Sequence, residues 1–153
     1  MKRHLFIFLV SVWIGAAAVT AAVAQSLPHK DEAGDRWGGM QKTIENYLGR
    51  PYVWGACGMK SFDCSGFVWR IMTENGIFIK RTTARKLYMS LPAVSGDRNY
   101  AAGFLVFFNN MKHVGIVKDQ SSFYHAQVSK GTNLSQFDPF WRPQVDGFRK
   151  MPM

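Results

Sequence analysis

Residues 62–67 read FDCSGF and include Cys64, one of two cysteines among 153 residues. Asp63 belongs to the residue types that cap helix N-termini, so the stretch predicts a helix beginning at Cys64. Apolar residues at helical spacing follow it up to an Asn-Gly stop: Phe67, Val68, Ile71 and Met72. Because the first turn of a helix carries unpaired N–H groups and partial positive charge, we expect a lowered thiol pKa at Cys64.

The remaining pattern indicates helices in the first half of the chain and strands in the second. Apolar residues at three- and four-residue steps predict a helix over 36–49, and TTARKLYMSL predicts a short one over 82–91. β-Rich runs separated by polar turns then occupy 104–110, 113–118, 122–128 and 147–151. This order predicts an α+β fold in which the Cys64 helix packs on an antiparallel sheet.

Two histidines fall in adjacent predicted strands, and a nucleophilic cysteine needs such a base. His113 opens one strand and His125 lies in the next. A three-residue turn over 118–120 would place them directly opposite each other, whereas a longer turn would make them diagonal neighbours on one face. Either arrangement allows a Cys-His-His set in which one ring takes the thiol proton and the other orients the first.

Other roles for Cys64 stay open on the residues alone. A lone cysteine near a helix start is commonly a small buried residue. A zinc site is disfavoured because the chain lacks the closely spaced ligand pairs that zinc sites use, and we expect no metal or other cofactor. Cys57 stands seven residues earlier, so a Cys57–Cys64 disulfide acting as a redox switch is an alternative to two free thiols.

The N-terminus has the pattern of an export signal. Basic residues precede a long uncharged run that ends in Ala22-Val23-Ala24, the small-x-small pattern that signal peptidase reads. We expect residues 1–24 to be a signal peptide cleaved after Ala24, with an uncleaved membrane anchor as the alternative. Residues 25–35 then form a flexible lead-in, and 36–153 form one domain in the periplasm, in the cell envelope or outside the cell.

The charge balance bears on partners. The chain has 19 basic and 10 acidic residues, a formal net charge of +9. An exported basic protein meets anionic envelope polymers and lipid headgroups rather than nucleic acid, so an anionic envelope surface is one predicted partner. The alternative is that the basic charge only keeps the protein soluble and marks no partner. We expect a monomer.

Several linked motifs resemble those of the NlpC/P60 cell-wall peptidases, over about residues 43–151. The stretch GRPYVWGACGMKSFDCSGF is similar to the family's Gly-x-Pro-Tyr-x-Trp-Gly-Gly and Phe-Asp-Cys-Ser-Gly, and KRT to its later Pro-Arg-Thr. AGFLVFF, HVGIV and FYHA resemble the strand motifs that carry the family's histidines. The tail FDPFWRPQVDGFRKM resembles the closing segment of small envelope members.

The resemblance implies a papain-like α+β fold and hydrolysis of peptidoglycan stem peptides, usually at the bond between γ-D-glutamate and a diamino acid. Carried over by position, Cys64 is the nucleophile, His113 the general base and His125 the orienting residue. Four further positions match motif residues that shape or contact the substrate side: Tyr52, Asp63, Ser65 and Arg81. An arginine in the cleft would also suit the carboxylates of stem peptides.

The departures from the family pattern avoid the three catalytic positions. Ala56-Cys57 stands where a second glycine is usual, Phe104 replaces an aspartate, and Lys80 replaces a proline. They bear on the shape and specificity of the cleft. Two competing functions remain: a catalytically silent wall-binding module that keeps the fold, and an amidase or acyltransferase of papain-like fold that acts on another amide or on lipid.

Overall fold

The structure, a computed structural model, describes residues 32–152. The predicted signal peptide, residues 1–24, and most of the predicted lead-in lie outside the described residues. The first helix, α1, spans Glu32–Asn46. It therefore begins inside the segment 25–35 for which the sequence predicts a flexible lead-in. No helix within the described part of the chain is long and apolar enough to cross a membrane.

The two other helices form where the sequence predicts them, because their caps are local. Helix α2 spans Cys64–Glu74, and its N-cap Asp63 accepts a hydrogen bond from the N–H of Gly66. Helix α3 spans Ala84–Ser90, and its N-cap Thr83 accepts from the N–H of Lys86. Side-chain oxygens at these positions satisfy N–H groups that have no partner within the helix.

The sheet has six antiparallel strands in the order β1-β6-β2-β3-β4-β5. The strands are β1 Ala93–Val94, β2 Leu105–Phe108, β3 His113–Val117, β4 Ser122–Gln127, β5 Gly131–Gln136 and β6 Val145–Arg149. Short 3-10 helices occupy Gly96–Tyr100 and Arg142–Gln144. The α+β prediction is confirmed: three helices pack on an antiparallel sheet.

Alternation along the strands builds two cores, one on each face of the sheet. The helices cover one face, where α2 packs against β3 and β4. The strand residues in this core are Leu105, Phe107, Val114, Ile116, Tyr124 and Ala126. The other face carries a second cluster closed by the segment after β5: Val106, Phe108, Val117, Phe123, Phe137 and Phe148. His125 lies on this second face, against Phe123. The histidines thus stand on the side of the sheet away from the helices.

Two of the six strands, β1 and β5, are not predicted from the sequence. Strand β1 has two residues, and β5 reads GTNLSQ, which contains few of the β-branched and aromatic residues typical of strands. Strand β5 forms because all six of its residues pair with β4, from Ser122↔Gln136 to Gln127↔Gly131. Its existence depends on tertiary pairing rather than on local propensity.

Candidate active site

Cys64 is the first residue of α2 and is 7% exposed. Its Sγ lies 3.9 Å from the carbonyl oxygen of Lys112. The backbone N–H of Val114 also faces this sulfur and stabilises the thiolate form. The thiol therefore lies against the backbone on both sides of His113, at the margin of the sheet where β3 begins.

The loop before α2 is attached closely to the helix start. The N–H of Asp63 donates to the carbonyl of Ala56, at 2.9 Å. A Cβ added to Gly66 would lie 2.0 Å from that same carbonyl oxygen. The N–H of Gly55 donates to the Asp63 carboxylate, at 2.9 Å. Glycine at position 66 thus lets the loop carrying Tyr52 approach Cys64.

The expected lowering of the Cys64 pKa is wrong. Burial, and next the charge of the Asp63 carboxylate, raise the pKa of the Cys64 thiol. Backbone N–H groups, including those of Val114 and Ser65, act in the opposite direction and do not outweigh these effects. Cys64 is therefore a thiol near neutral pH, and it would need a base to become a thiolate.

The two histidines meet as diagonal neighbours. The turn between β3 and β4 holds four residues, 118–121, and Gly115 is the cross-strand partner of His125. His113 lies two residues before that partner, on the same face. Its Nε2 is 2.7 Å from Nδ1 of His125. This contact leaves Nδ1 of His113 as the ring nitrogen that His125 does not use.

Aromatic side chains enclose the histidine pair. The ring of Trp141 stacks on His113, with centroids 5.6 Å apart, and stands edge-on to His125 at 5.0 Å. Burial lowers the pKa of His113 to about 4. Burial, and next the charge on His113, lower the pKa of His125 to about 3. Both rings are therefore neutral near pH 7, and a neutral imidazole can accept a proton.

Strand β5 supplies the residues beyond His125. Nε2 of His125 lies 2.8 Å from Oγ of Ser135. The hydroxyl of Ser135 donates in turn to Oδ1 of Asn133, at 3.1 Å. A chain of hydrogen bonds thus runs from His113 to Asn133. Its last two members lie in the strand that sequence reasoning missed.

Asp63, Ser65 and Arg81 form one cluster beside the thiol. Nη2 of Arg81 donates to both carboxylate oxygens of Asp63, at 2.9 and 2.7 Å. Its Nη1 donates to Oγ of Ser65 and to the carbonyl of Thr82. Since all four Nη donors are used inside the protein, the expected pairing of Arg81 with a substrate carboxylate is not supported. The arrangement favours a role for Arg81 in holding Asp63.

Tyr52 lies at the open side of the same cluster and is half-buried. Burial, and next the charges of Cys64 and Asp63, raise the pKa of Tyr52. Its hydroxyl therefore keeps its proton near neutral pH and can donate a hydrogen bond beside the thiol. Tyr52 is thus near Cys64 and Asp63, and its role in substrate binding stays a prediction.

Both cysteines of the described chain are free thiols. The carbonyl of Cys57 accepts hydrogen bonds from Nε and Nη2 of Arg70, at 3.2 and 2.7 Å. These contacts hold the backbone of Cys57 against the second turn of α2. Within residues 32–152, no group of three or more His, Cys, Asp and Glu side chains is arranged to hold a metal ion.

Sequence reasoning missed Trp141, Ser135 and Asn133 as site residues. The resemblance of FDPFWRPQVDGFRKM to a family segment was the signal available for Trp141. No local signal marked Ser135 or Asn133, because serine and asparagine in a polar run are typical of turns.

Residues 49–150 match the profile of the NlpC/P60 family, about two thirds of the chain. The chain is 31% identical over 108 residues to a probable peptidoglycan endopeptidase, LytE of Bacillus subtilis, covering 67% of this chain and 31% of LytE. It is 32% identical over 111 residues to the murein DD-endopeptidase and LD-carboxypeptidase MepS of Escherichia coli, covering 69% of this chain and 58% of MepS. The chain thus spans well under two thirds of these relatives.

Solved structures agree with the fold. An NLP/P60 family protein similar to a lipoprotein, from Staphylococcus aureus, superimposes with a TM-score of 0.68 at 27% identity, covering 76% of this chain and 41% of that one. The NlpC/p60 domain of the peptidoglycan hydrolase SagA gives 0.63 at 24% identity, covering 75% of this chain and 98% of that domain. A helix-borne cysteine beside paired strand histidines defines a class of α+β hydrolase folds. Within it, this chain belongs to the NlpC/P60 family.

Proposed function

We propose that the protein is a peptidoglycan endopeptidase of the cysteine type, with Cys64 as nucleophile, His113 as general base and His125 as orienting residue. The observation that carries the proposal is the neutral His113–His125 pair, joined at 2.7 Å beside the buried thiol of Cys64. The family and the names of its relatives support peptidoglycan as the substrate.

In the proposed reaction, Nδ1 of His113 takes the proton of the Cys64 thiol as Sγ attacks the amide carbonyl of the stem peptide. In this proposal, the N–H groups at the start of α2 and the hydroxyl of Tyr52 stabilise the oxyanion that forms. The C–N bond then breaks, and the leaving amine takes the proton from His113. Water, deprotonated by His113, hydrolyses the thioester, and the Cys64 thiol is restored.

The proposed bond is that between γ-D-glutamate and the diamino acid of the stem. The resemblance to the family supports this choice. The hydroxyl of Tyr52 is the proposed contact for a polar group of the stem peptide. Asp63 and Ser65 are buried and hydrogen-bonded within the protein, so their proposed role is to shape the substrate side. Arg81 holds Asp63 and Ser65 in place through hydrogen bonds to both side chains.

We also propose that the protein is exported as a monomer, through the signal peptide at residues 1–24, and meets an anionic envelope surface. The segment 76–96 has four basic residues and no acidic one. Phe78 and Met89 in it are 84% and 74% exposed, and Lys80, Arg85 and Lys86, which are close to them in the sequence, are also exposed. We define these five residues as the basic-apolar patch. Basic charge with exposed apolar side chains suits an anionic lipid surface.

The test uses residues 25–153 with a Cys64→Ala variant and a matched Cys57→Ala control. Each protein is incubated with diaminopimelate-type peptidoglycan, with and without reductant, and soluble products are identified by mass spectrometry. We expect fragments cut after γ-D-glutamate from the wild type and the control, and none from Cys64→Ala. If the wild type releases nothing under either condition, the silent binding module or another substrate is favoured instead.

A further inference from the structure

We propose that Ser135 and Asn133 are positioning residues that set the tautomers of both histidines, so that Nδ1 of His113 is left without a proton beside Cys64. The inference rests on the proposed function for its purpose, but the tautomers can be tested without any activity. At the far end of the hydrogen-bond chain, a backbone carbonyl leaves only one assignment of the Asn133 amide.

The amide of Asn133 is oriented by two contacts. Its Nδ2 lies 2.8 Å from the carbonyl oxygen of Gly131, which can only accept. Oδ1 is therefore the other side-chain atom, and it accepts from Nε2 of Gln127 at 3.1 Å. Both contacts agree. Asn133 thus presents an acceptor, not a donor, to its next neighbour.

That neighbour is Oγ of Ser135, at 3.1 Å. A hydroxyl has a single proton, so donation to Asn133 leaves Oγ only its lone pairs for the 2.8 Å contact with Nε2 of His125. Nε2 of His125 must then carry the proton. In the neutral ring, Nδ1 of His125 is an acceptor.

The tautomer of His125 also fixes the tautomer of His113. Its Nε2 lies 2.7 Å from the accepting Nδ1 of His125, so Nε2 carries the proton of His113. Nδ1 of His113 then has a free lone pair. This is the state that a general base for the Cys64 thiol requires. The reverse tautomers would put a proton on Nδ1 of His113 and remove the base.

The start of β5, where the hydrogen-bond chain ends, is held in place by backbone contacts. The N–H of Thr132 donates to the carbonyl of Arg50, and the N–H of Gly49 donates to the carbonyl of Thr132, both at 2.8 Å. Gly131 has a φ of +65°, and a Cβ there would lie 2.1 Å from the Arg50 carbonyl oxygen. The start of β5 is thus held against the loop that leads to Tyr52. His125 itself is fully buried.

The test is the imidazole 15N spectrum of the intact 15N-labelled protein near pH 7, assigned with the help of His113→Gln and His125→Gln variants. We expect both histidines as neutral rings protonated at Nε2. In Ser135→Ala and Asn133→Leu, signal from the Nδ1-protonated form of His113 should appear. Ser122→Ala, the same change in neighbouring β4, is the control and should leave the spectrum unchanged.

Activity gives the second readout. Ser135→Ala should lower kcat by about 10- to 100-fold with little change in KM, because the base is lost from part of the population. A wild-type spectrum with the proton on Nδ1 of His113 would overturn the proposal, and so would unchanged tautomers in both Ser135→Ala and Asn133→Leu, even if kcat fell. Wild-type tautomers as expected, with no peptidoglycan cleavage, would reject the proposed function and leave this inference standing.

Discussion

Nε2 of His113 lies 2.7 Å from Nδ1 of His125, although the two residues are offset by two positions in the cross-strand register. The diagonal contact joins the rings end to end through single nitrogens. Each histidine keeps its second ring nitrogen outside this contact: Nε2 of His125 contacts Ser135, and Nδ1 of His113 is not used by the pair. One pair of rings thus connects the half-buried polar residues of β5 to the start of β3, where the Cys64 thiol lies against the carbonyl of Lys112.

The stability of the protein should fall as the pH is lowered from 7 toward 4. His113 titrates at about 4 in the folded protein against 6.5 in the unfolded chain, so the unfolded state binds more protons between these values. The contribution of neutral His113 to the free energy of unfolding is complete above pH 6.5. Up to about 1.4 kcal/mol of it is lost for each pH unit between 6.5 and 4. Urea unfolding at several pH values measures this slope. His113→Gln should have a shallower slope, and parallel curves would contradict the pKa.

Arg81→Met should destabilise the protein strongly. It leaves the Asp63 carboxylate, which is 8% exposed, without its cationic partner. Removing one partner of a buried pair costs about 3–5 kcal/mol, and we expect the low end because the Arg81 side chain is 26% exposed. Arg85→Met, an exposed change in α3, is the matched control and should stay within about 0.5 kcal/mol. Equal urea midpoints for the two variants would contradict the structural role of Arg81.

Gly66→Ala should displace the loop 51–57 or prevent folding. The new methyl group would overlap the Ala56 carbonyl, a backbone atom that cannot rotate away. Gly38→Ala is the control, because a Cβ at this position in α1 meets nothing within 4 Å. That change should stabilise by about 0.5–1 kcal/mol, since alanine is the better helix former. Thermal unfolding separates the two, and a wild-type melting temperature for Gly66→Ala would contradict the close approach.

The basic-apolar patch should bind anionic membranes. We expect the protein to sediment with phosphatidylglycerol vesicles and not with phosphatidylcholine vesicles, and binding should weaken as salt is added. The double variant Phe78→Ser/Met89→Ser should lose most of this binding. Val128→Ser, which changes an equally exposed apolar residue on the β4–β5 turn, should bind as the wild type does. Binding that the double variant leaves unchanged would mean that charge alone is responsible.

Much of the candidate site could be predicted from short stretches of sequence. The start of α2 was predictable because the Asp63 cap and the N–H that it binds are three residues apart. The four predicted strand runs appear as β2, β3, β4 and β6, because their side chains have strong β propensity. The resemblance to the family named Tyr52, Asp63 and the two histidines as site residues, because its motifs are short stretches of sequence.

By itself, the sequence determined the α+β class, the helix that carries Cys64 and the strands that carry His113 and His125, since caps and apolar periodicity act over a few residues. Only the tertiary structure decided the diagonal register of the histidines, the formation of β5 with Ser135 and Asn133, and the engagement of Arg81 by Asp63. It also reversed the expected shift of the Cys64 pKa. Each depends on which distant residues become neighbours and how far water is excluded, and neither is encoded in a local pattern.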